Sequence, residues 1–133
     1  MCLDVIASVA IVCGMPIDDE SVSAALPLPP ATFHILLSLA AGERHGYAII
    51  QDVEASTDGE LRLSAGTLYR SIARMVEQGL IIETARRRTA EEDERRRYYR
   101  LTPYGTAVAR AETARLTHLV RLARASGLIP KPA

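Results

Sequence analysis

Two arginines four residues apart, Arg70 and Arg74, stand in a stretch with helical periodicity and would project from the same side of that helix. The guanidinium group donates paired hydrogen bonds that match a phosphate or the major-groove edge of guanine. Thr67 and Tyr69, in the first turns of the same stretch, can also reach base edges or phosphates. This face is a candidate for nucleic-acid recognition, and an ordinary solvated helix face is the alternative.

A second set of arginines brackets a charged loop over residues 87–96. A basic ribbon beside a recognition helix can straddle a phosphate backbone or enter a minor groove. Four acidic residues at the loop tip, 91–94, argue against the whole loop lying on nucleic acid, so a self-neutralised loop is the alternative. We expect backbone contacts from some arginines of the two arms, and the candidates are Arg86, Arg87, Arg88, Arg96 and Arg97.

The formal net charge of the 133 residues is zero, but the charge is unevenly distributed. Residues 1–64 sum to −7 and residues 65–133 to +7, which predicts a basic surface in the second half. Fifteen of the sixteen basic residues are arginine, which suits bidentate contacts with phosphate or guanine. A GC-rich genome would produce the same arginine enrichment.

Other kinds of chemistry have little support in this sequence. The histidines His34, His45 and His118 and the cysteines Cys2 and Cys13 do not fall at metal-ligand spacings. A glycine-rich phosphate loop, a nucleophile elbow and an HExxH motif are all missing from the sequence. We therefore expect no metal, no cofactor and no enzymatic activity.

The first thirty residues carry no recognisable targeting or membrane signal. The apolar stretch 5–12 is too short to span a bilayer, and no Lys or Arg precedes Arg44 to begin a signal peptide. We expect a cytoplasmic protein without membrane contact. Residues 1–14 either precede a true start at Met15 or form a short extra helix, and residues 16–30, rich in Asp, Ser and Pro, indicate a linker.

Two helices are predicted ahead of the arginine-bearing one. The first spans residues 31–41, with apolar positions at Phe33, Leu36, Leu37 and Ala40. The second begins at 45–46 and ends at 57–59, and its apolar positions are Tyr47, Ile50 and Val53, with Ile49 beside them. The link over residues 60–63 is a candidate strand.

The third helix is predicted over residues 64–78. Ser64 is a good N-cap, and Gly79 occupies the position after the helix that favours glycine. The apolar stripe expected to be buried consists of Leu68, Ile72, Met75 and Val76.

A strand pair and a long helix complete the chain. The period changes to two over residues 80–86 and 97–101, and Thr102 with Pro103 then opens a helix that ends near residue 126. This helix is longer than one domain needs, so a second copy of the chain is the simplest partner, and folding back onto its own domain is the alternative. The candidate interface residues are Val108, Leu116, Leu119, Val120 and Ala123.

This order of elements is that of a winged helix-turn-helix: a mainly α fold with a small β-hairpin and a long C-terminal dimerisation helix. We divide the chain into an N-terminal extension or linker (1–27), a winged-helix domain (28–102), a dimerisation helix (103–127) and a tail (128–133). In this interpretation helix 64–78 enters a major groove and the wing, residues 80–101, lies on the backbone.

Several short motifs, in order, resemble the PadR family of bacterial transcriptional regulators. They are LLSL at 36–39, HGYAI at 45–49, LSAGTLY at 63–69, QGLI at 78–81 and YYRLTPYG at 98–105. The resemblance covers about residues 28–126. It implies a winged-helix fold, a dimer joined through the C-terminal helix, repression of nearby genes and, in some members, relief of repression by phenolic or multidrug-like ligands.

The resemblance also implies roles for individual residues. Leu68 would face inward and Tyr69 would face DNA, while His45 and Tyr47 would touch phosphates. With the residues above, the candidate DNA contacts become His45, Tyr47, Ser64, Thr67, Tyr69, Arg70, Arg74, Arg86, Arg87, Arg88, Arg96 and Arg97. Arg70 departs from the family, which often has proline there, and the absence of tryptophan removes the residue that drug-binding members place in the dimer pore.

The leading hypothesis is a sequence-specific, double-stranded-DNA-binding homodimer, most simply a repressor. The acidic first half and the acidic loop tip keep a second hypothesis open, a winged-helix module that binds proteins without reading DNA. A third hypothesis, compatible with the first, is a sensor with a small-molecule effector pocket at the dimer interface.

Overall fold

The computed structural model describes residues 17–84 and 97–129. Along these residues the chain forms five helices and three short strands, with the predicted mainly helical, winged architecture. They are α1 (Asp19–Ala24), α2 (Pro30–Ala40), β1 (Arg44–His45), α3 (Gly46–Ser56), α4 (Ala65–Glu77), β2 (Ile81–Glu83), β3 (Tyr98–Leu101) and α5 (Pro103–Ala125). The charged loop predicted over 87–96 lies outside the described residues.

The sheet has three antiparallel strands in the order β1-β3-β2, one more than the predicted hairpin. Arg44 of β1 pairs with Tyr99, and Ile81 of β2 pairs with Leu101. The prediction of a strand over residues 60–63 is wrong, because that segment is an irregular link and β1 pairs with β3 instead. A two-residue strand such as β1 is too short for alternation of apolar and polar residues to reveal it.

Helix α4 places its predicted apolar stripe in the core with one exception. Leu68, Ile72 and Met75 are buried, which confirms three of the four positions. Val76 is 41% exposed, so its assignment to the buried stripe is wrong. It lies farther round the helix than the other three, beyond the narrow stripe that the core covers.

The buried faces of α2 and α3 are rotated from the predicted ones. The apolar side chains that these helices bury are Ile35, Leu36, Leu39, Ile49 and Val53. Leu37 and Tyr47, both predicted on the apolar faces, are 47% and 59% exposed. Because α2 is apolar around most of its circumference, periodicity does not select its buried face, and packing against α3 and α5 decides it.

The predicted helix ends are confirmed at atomic detail. The Ser64 hydroxyl accepts a hydrogen bond from the Thr67 amide at 3.1 Å and caps α4. Gly79 follows that helix with φ +79°, a conformation that favours glycine. The Thr102 hydroxyl accepts from the Gly105 amide at 2.9 Å and caps α5.

Residues 17–29 are part of the folded domain, so their prediction as a linker is wrong. Val22 of α1 is only 7% exposed and belongs to the core. The Leu28 amide donates to the Glu112 carboxylate at 3.2 Å, and the Tyr104 hydroxyl donates to the Ser21 carbonyl at 3.2 Å. Helix α5 therefore holds this segment through polar contacts that a composition rich in Asp, Ser and Pro does not reveal.

Residues 17–84 and 97–129 contain neither a helix that could cross a bilayer nor a group of metal ligands. None of the helices there combines the length and the apolar character that a bilayer crossing needs. No three His, Cys, Asp or Glu side chains in these ranges are grouped to hold a metal ion.

Candidate nucleic-acid interface

The surface of α4 opposite its buried stripe carries Gly66, Arg70, Ala73 and Glu77, which helical geometry aligns along one exposed ridge. Arg74 lies on the flank of this ridge. Among the residues that the structure describes, neither arginine forms an ion pair. Gly66 and Ala73 were not among the predicted site residues, although their helical spacing around Arg70 is a usable signal. These small residues let another surface approach the helix backbone closely.

Ser64 and Thr67 hold the first turn of α4. The Ser64 hydroxyl accepts from the Thr67 amide and donates to the Thr67 hydroxyl at 3.0 Å. Thr67 is half-buried, whereas Ser64 is exposed. Their shared role is therefore to fix where the helix begins, and through this the position of the ridge.

The phenol of Tyr69 lies across the start of α3. A Cβ atom added to Gly46 would lie 2.6 Å from the Tyr69 hydroxyl oxygen and 3.0 Å from the ring carbon that bears it. Gly46 is thus required for the present position of this ring, which is 43% exposed. The contact places Tyr69 against the residue that lies between His45 and Tyr47 in the chain.

His45 forms the cap of α3. Its Nδ1 accepts from the Ala48 amide at 3.2 Å, so the ring N–H is carried by Nε2. The His45 ring stacks on Tyr47, with centroids 6.5 Å apart, and meets the edge of Tyr98 at 5.5 Å. Tyr47 remains exposed. The start of α3 therefore carries the adjacent rings of His45 and Tyr47 beside its first backbone N–H groups.

A small polar network fixes the start of α3 to α2. The Nε atom of Arg44 lies 2.9 Å from the Asp52 carboxylate and donates to the Ser38 carbonyl at 3.1 Å. The Ser38 hydroxyl donates to the same carboxylate at 2.8 Å. Spacing along the sequence does not reveal these residues, because their pairing depends on how two helices pack.

Of the five candidate arginines of the wing, the structure describes only Arg97. Its guanidinium lies 3.5 Å from the Glu83 carboxylate, across the base of the hairpin, and both side chains are exposed. An exposed pair of this kind adds little stability and does not prevent contact with a phosphate. The remaining candidates, Arg86, Arg87, Arg88 and Arg96, lie outside the described residues.

The candidate dimer residues of α5 divide into two groups. Val108 is fully buried in the core of its own chain, so its placement at an interface between copies is wrong. Leu119 and Val120 are 46% and 44% exposed, and Leu116 and Ala123 are half-buried. The distal part of α5 therefore presents an apolar surface that nothing in the described chain covers.

Comparisons with known proteins identify a family and several similar structures. Residues 35–111, more than half of the chain, match the transcriptional regulator PadR-like family. The comparison with curated proteins finds no match. A transcriptional regulator from Clostridium thermocellum has a similar structure, with TM-score 0.60 and 23% identity, covering 82% of this chain and 96% of that one.

Two further solved structures share the fold. A PadR family transcription regulator from Clostridium difficile has TM-score 0.60 and 22% identity, covering 72% of this chain and 96% of its own. RosR of H. salinarum has TM-score 0.56 and 26% identity, covering 73% of this chain and 78% of its own. The chain therefore belongs to the PadR-like family of transcriptional regulators, in which a winged helix binds DNA.

Proposed function

We propose that this chain is a homodimeric repressor that reads a specific duplex sequence, with α4 in the major groove and the arms of the wing on the backbone. The observation that carries the proposal is the exposed ridge of α4, where Arg70 has no ionic partner among the described residues. A guanidinium held at the crest of a helix can reach O6 and N7 of a guanine. Gly66 and Ala73 on either side leave the groove walls room to approach.

The start of α3 supports the same orientation. Its first backbone N–H groups and the positive end of its helix dipole favour a phosphate. Tyr47 belongs to the first turn of this helix and the Tyr69 phenol lies against Gly46, and both carry hydroxyl groups that can donate to phosphate oxygens. A duplex seated on the α4 ridge would bring its backbone to this point, as in other helix-turn-helix proteins.

The second copy would join through distal α5. Leu116, Leu119, Val120 and Ala123 supply an apolar surface of the kind that an interface between copies buries. A two-fold dimer would present two α4 ridges to two half-sites on one duplex. Repression follows where such a site overlaps a promoter, and we infer a cytoplasmic location because a regulator must reach the chromosome.

Fluorescence anisotropy with the duplex upstream of the protein's own gene tests this function. We expect nanomolar affinity that falls steeply with salt, and weaker binding to a shuffled duplex of equal composition. Equal affinity for the two duplexes at every salt concentration would contradict sequence-specific recognition.

Replacing Arg70 should identify the reading side chain. Arg70→Ala should weaken operator binding by about 1–3 kcal/mol and relax the preference at one base pair, because a bidentate contact to a base is lost. Arg110→Ala removes another exposed arginine, on α5, and should leave Kd unchanged within the error of measurement. A uniform loss across all sequences with Arg70→Ala would instead make it a phosphate contact.

Gly46→Ala should impair DNA binding through Tyr69 without unfolding the protein. The added methyl group displaces the phenol and also lies 3.3 Å from the buried Leu68 side chain, so a small loss of stability accompanies the loss of binding. Alanine itself is a good helix former. We expect Gly46→Ala and Tyr69→Ala to weaken operator binding to similar extents, and the double variant to be no weaker than either. Additive losses would show that Gly46 acts independently of Tyr69. Thermal unfolding of each variant serves as the control for folding.

A further inference from the structure

A half-open cavity of about 710 Å³ lies between the N-terminal segment and α4. One wall is formed by residues of α1 and the segment that follows it, which precede the part of the chain matched to the family. The opposite wall is formed by α4, with Thr67, Arg70, Ser71 and Arg74. Leu80 and Tyr104 also line it, and the Tyr104 hydroxyl is bonded to Ser21 on the α1 side.

The charged residues in the described lining of this cavity are all basic. Two arginines line the cavity, and the described residues of its lining include neither aspartate nor glutamate. Among the described residues, neither Arg70 nor Arg74 is neutralised by an ion pair. Hydroxyl groups of Thr32, Thr67 and Ser71 add hydrogen-bonding positions, while Leu28 and Pro29 supply apolar surface. A site of this kind matches a molecule with an anionic head and an apolar body.

We propose that this cavity binds a small organic anion, and that the bound anion releases the protein from DNA. The anionic head pairs with Arg70 and Arg74, and the apolar body lies against Leu28 and Pro29. Both arginines belong to the helix that we assign to the major groove, so the anion and the duplex compete for the same guanidinium groups. The release step rests on the proposed DNA binding, whereas the ligand site does not.

Binding of 8-anilinonaphthalene-1-sulfonate, a fluorescent sulfonate with an aromatic body, tests the site in the full-length protein. We expect one site per chain, and affinity reduced at least about tenfold in Arg70→Gln/Arg74→Gln, because charge-assisted hydrogen bonds are lost. The matched control Arg110→Gln/Arg121→Gln removes two exposed arginines of α5 and should keep wild-type affinity. N-phenyl-1-naphthylamine, which lacks the sulfonate, should not distinguish these variants.

Ala24→Phe tests the cavity without removing a charge. Ala24 is exposed and lines the cavity, so the larger side chain should fill part of it and weaken binding of the sulfonate. Retained affinity in Ala24→Phe or in Arg70→Gln/Arg74→Gln would overturn the site, as would an equal loss in the α5 control.

The release step is tested by adding the sulfonate to the protein–operator complex. The probe should raise the apparent Kd for DNA in the wild type and leave it unchanged in Ala24→Phe, since coupling between two ligands is reciprocal. Undiminished DNA affinity at saturating probe would overturn the release step. Should the protein bind no DNA at all, the sulfonate measurements on the variants still decide the site on their own.

Discussion

Gly105→Ala is expected to destabilise the protein by at least about 3 kcal/mol, enough to unfold a large fraction of a marginally stable domain. A Cβ atom at position 105 would collide with the carbonyl oxygen of Leu80, which is backbone and has no rotamer to move into. That carbonyl also accepts from the Thr102 amide at 3.1 Å. The glycine therefore allows α5 to start against the chain that leads into the wing.

Urea unfolding monitored by circular dichroism measures this loss. Gly66→Ala is the matched control, because Gly66 is also helical but its added Cβ would meet nothing within 4 Å. The control should be neutral or more stable by about 0.5 kcal/mol, since alanine is the better helix former. Nearly equal midpoints for wild type and Gly105→Ala would show that α5 and Leu80 do not approach each other in this way.

Glu112→Ala should cost about 1–3 kcal/mol, the second largest effect that we expect. The Glu112 side chain is 2% exposed, accepts from the Leu28 amide and pairs with Arg115 at 2.6 Å and 2.9 Å. Its removal leaves a half-buried backbone donor without its partner and releases the N-terminal segment from α5. Urea midpoints, with the exposed Glu60→Ala as control, measure the difference.

The lowered pKa of Glu112 predicts that the stability of the fold decreases as the pH falls. The hydrogen bonds from Arg115 hold the pKa of Glu112 below its usual value, and the Leu28 amide lowers the pKa further, against the opposing effect of burial. The stability that it contributes is therefore fully present above the pKa of an unfolded glutamate, about 4.3, and is lost as the pH falls through the folded pKa. Stability should decline less on acidification in Glu112→Gln than in the wild type. Parallel declines would contradict this assignment.

Local chemistry explains which parts of the fold could be predicted. Ser64, Gly79 and Thr102 mark helix ends through hydrogen bonds and dihedral angles that involve only their sequence neighbours, and each was predicted correctly. Three of four buried positions of α4 were also correct, because that helix has a sharply divided apolar and polar face. The order of elements followed from these signals.

Tertiary partners explain what could not be predicted. Leu37 is exposed because α2, apolar on most sides, is covered on only one of them. The N-terminal segment is held by Glu112 and Tyr104, which lie over eighty residues away along the chain. Val108 is buried because the first part of α5 packs on its own domain, whereas Leu119 and Val120 of the distal part are exposed. The boundary between the two parts is set by tertiary packing.

Some features of the candidate site could likewise be predicted from sequence, and others depend on tertiary contacts. The arginine pair of α4 was visible from spacing alone, but the distinction between Arg70 on the ridge and Arg74 on its flank required the buried stripe to be located first. The contact between Gly46 and Tyr69 joins two helices and has no signature in either segment. One wall of the cavity is formed by the N-terminal segment, whose composition predicts a linker.

Methylation interference on the operator duplex tests the central claim, a dimer with α4 in the major groove, most directly. Methyl groups at guanine N7 lie in the major groove, and those at adenine N3 lie in the minor groove. We predict that N7 methylation blocks binding in two half-sites about 10 base pairs apart, or a multiple of that spacing, and that Arg70→Ala removes one guanine from each. Interference confined to adenine N3, or restricted to a single half-site, would contradict the account.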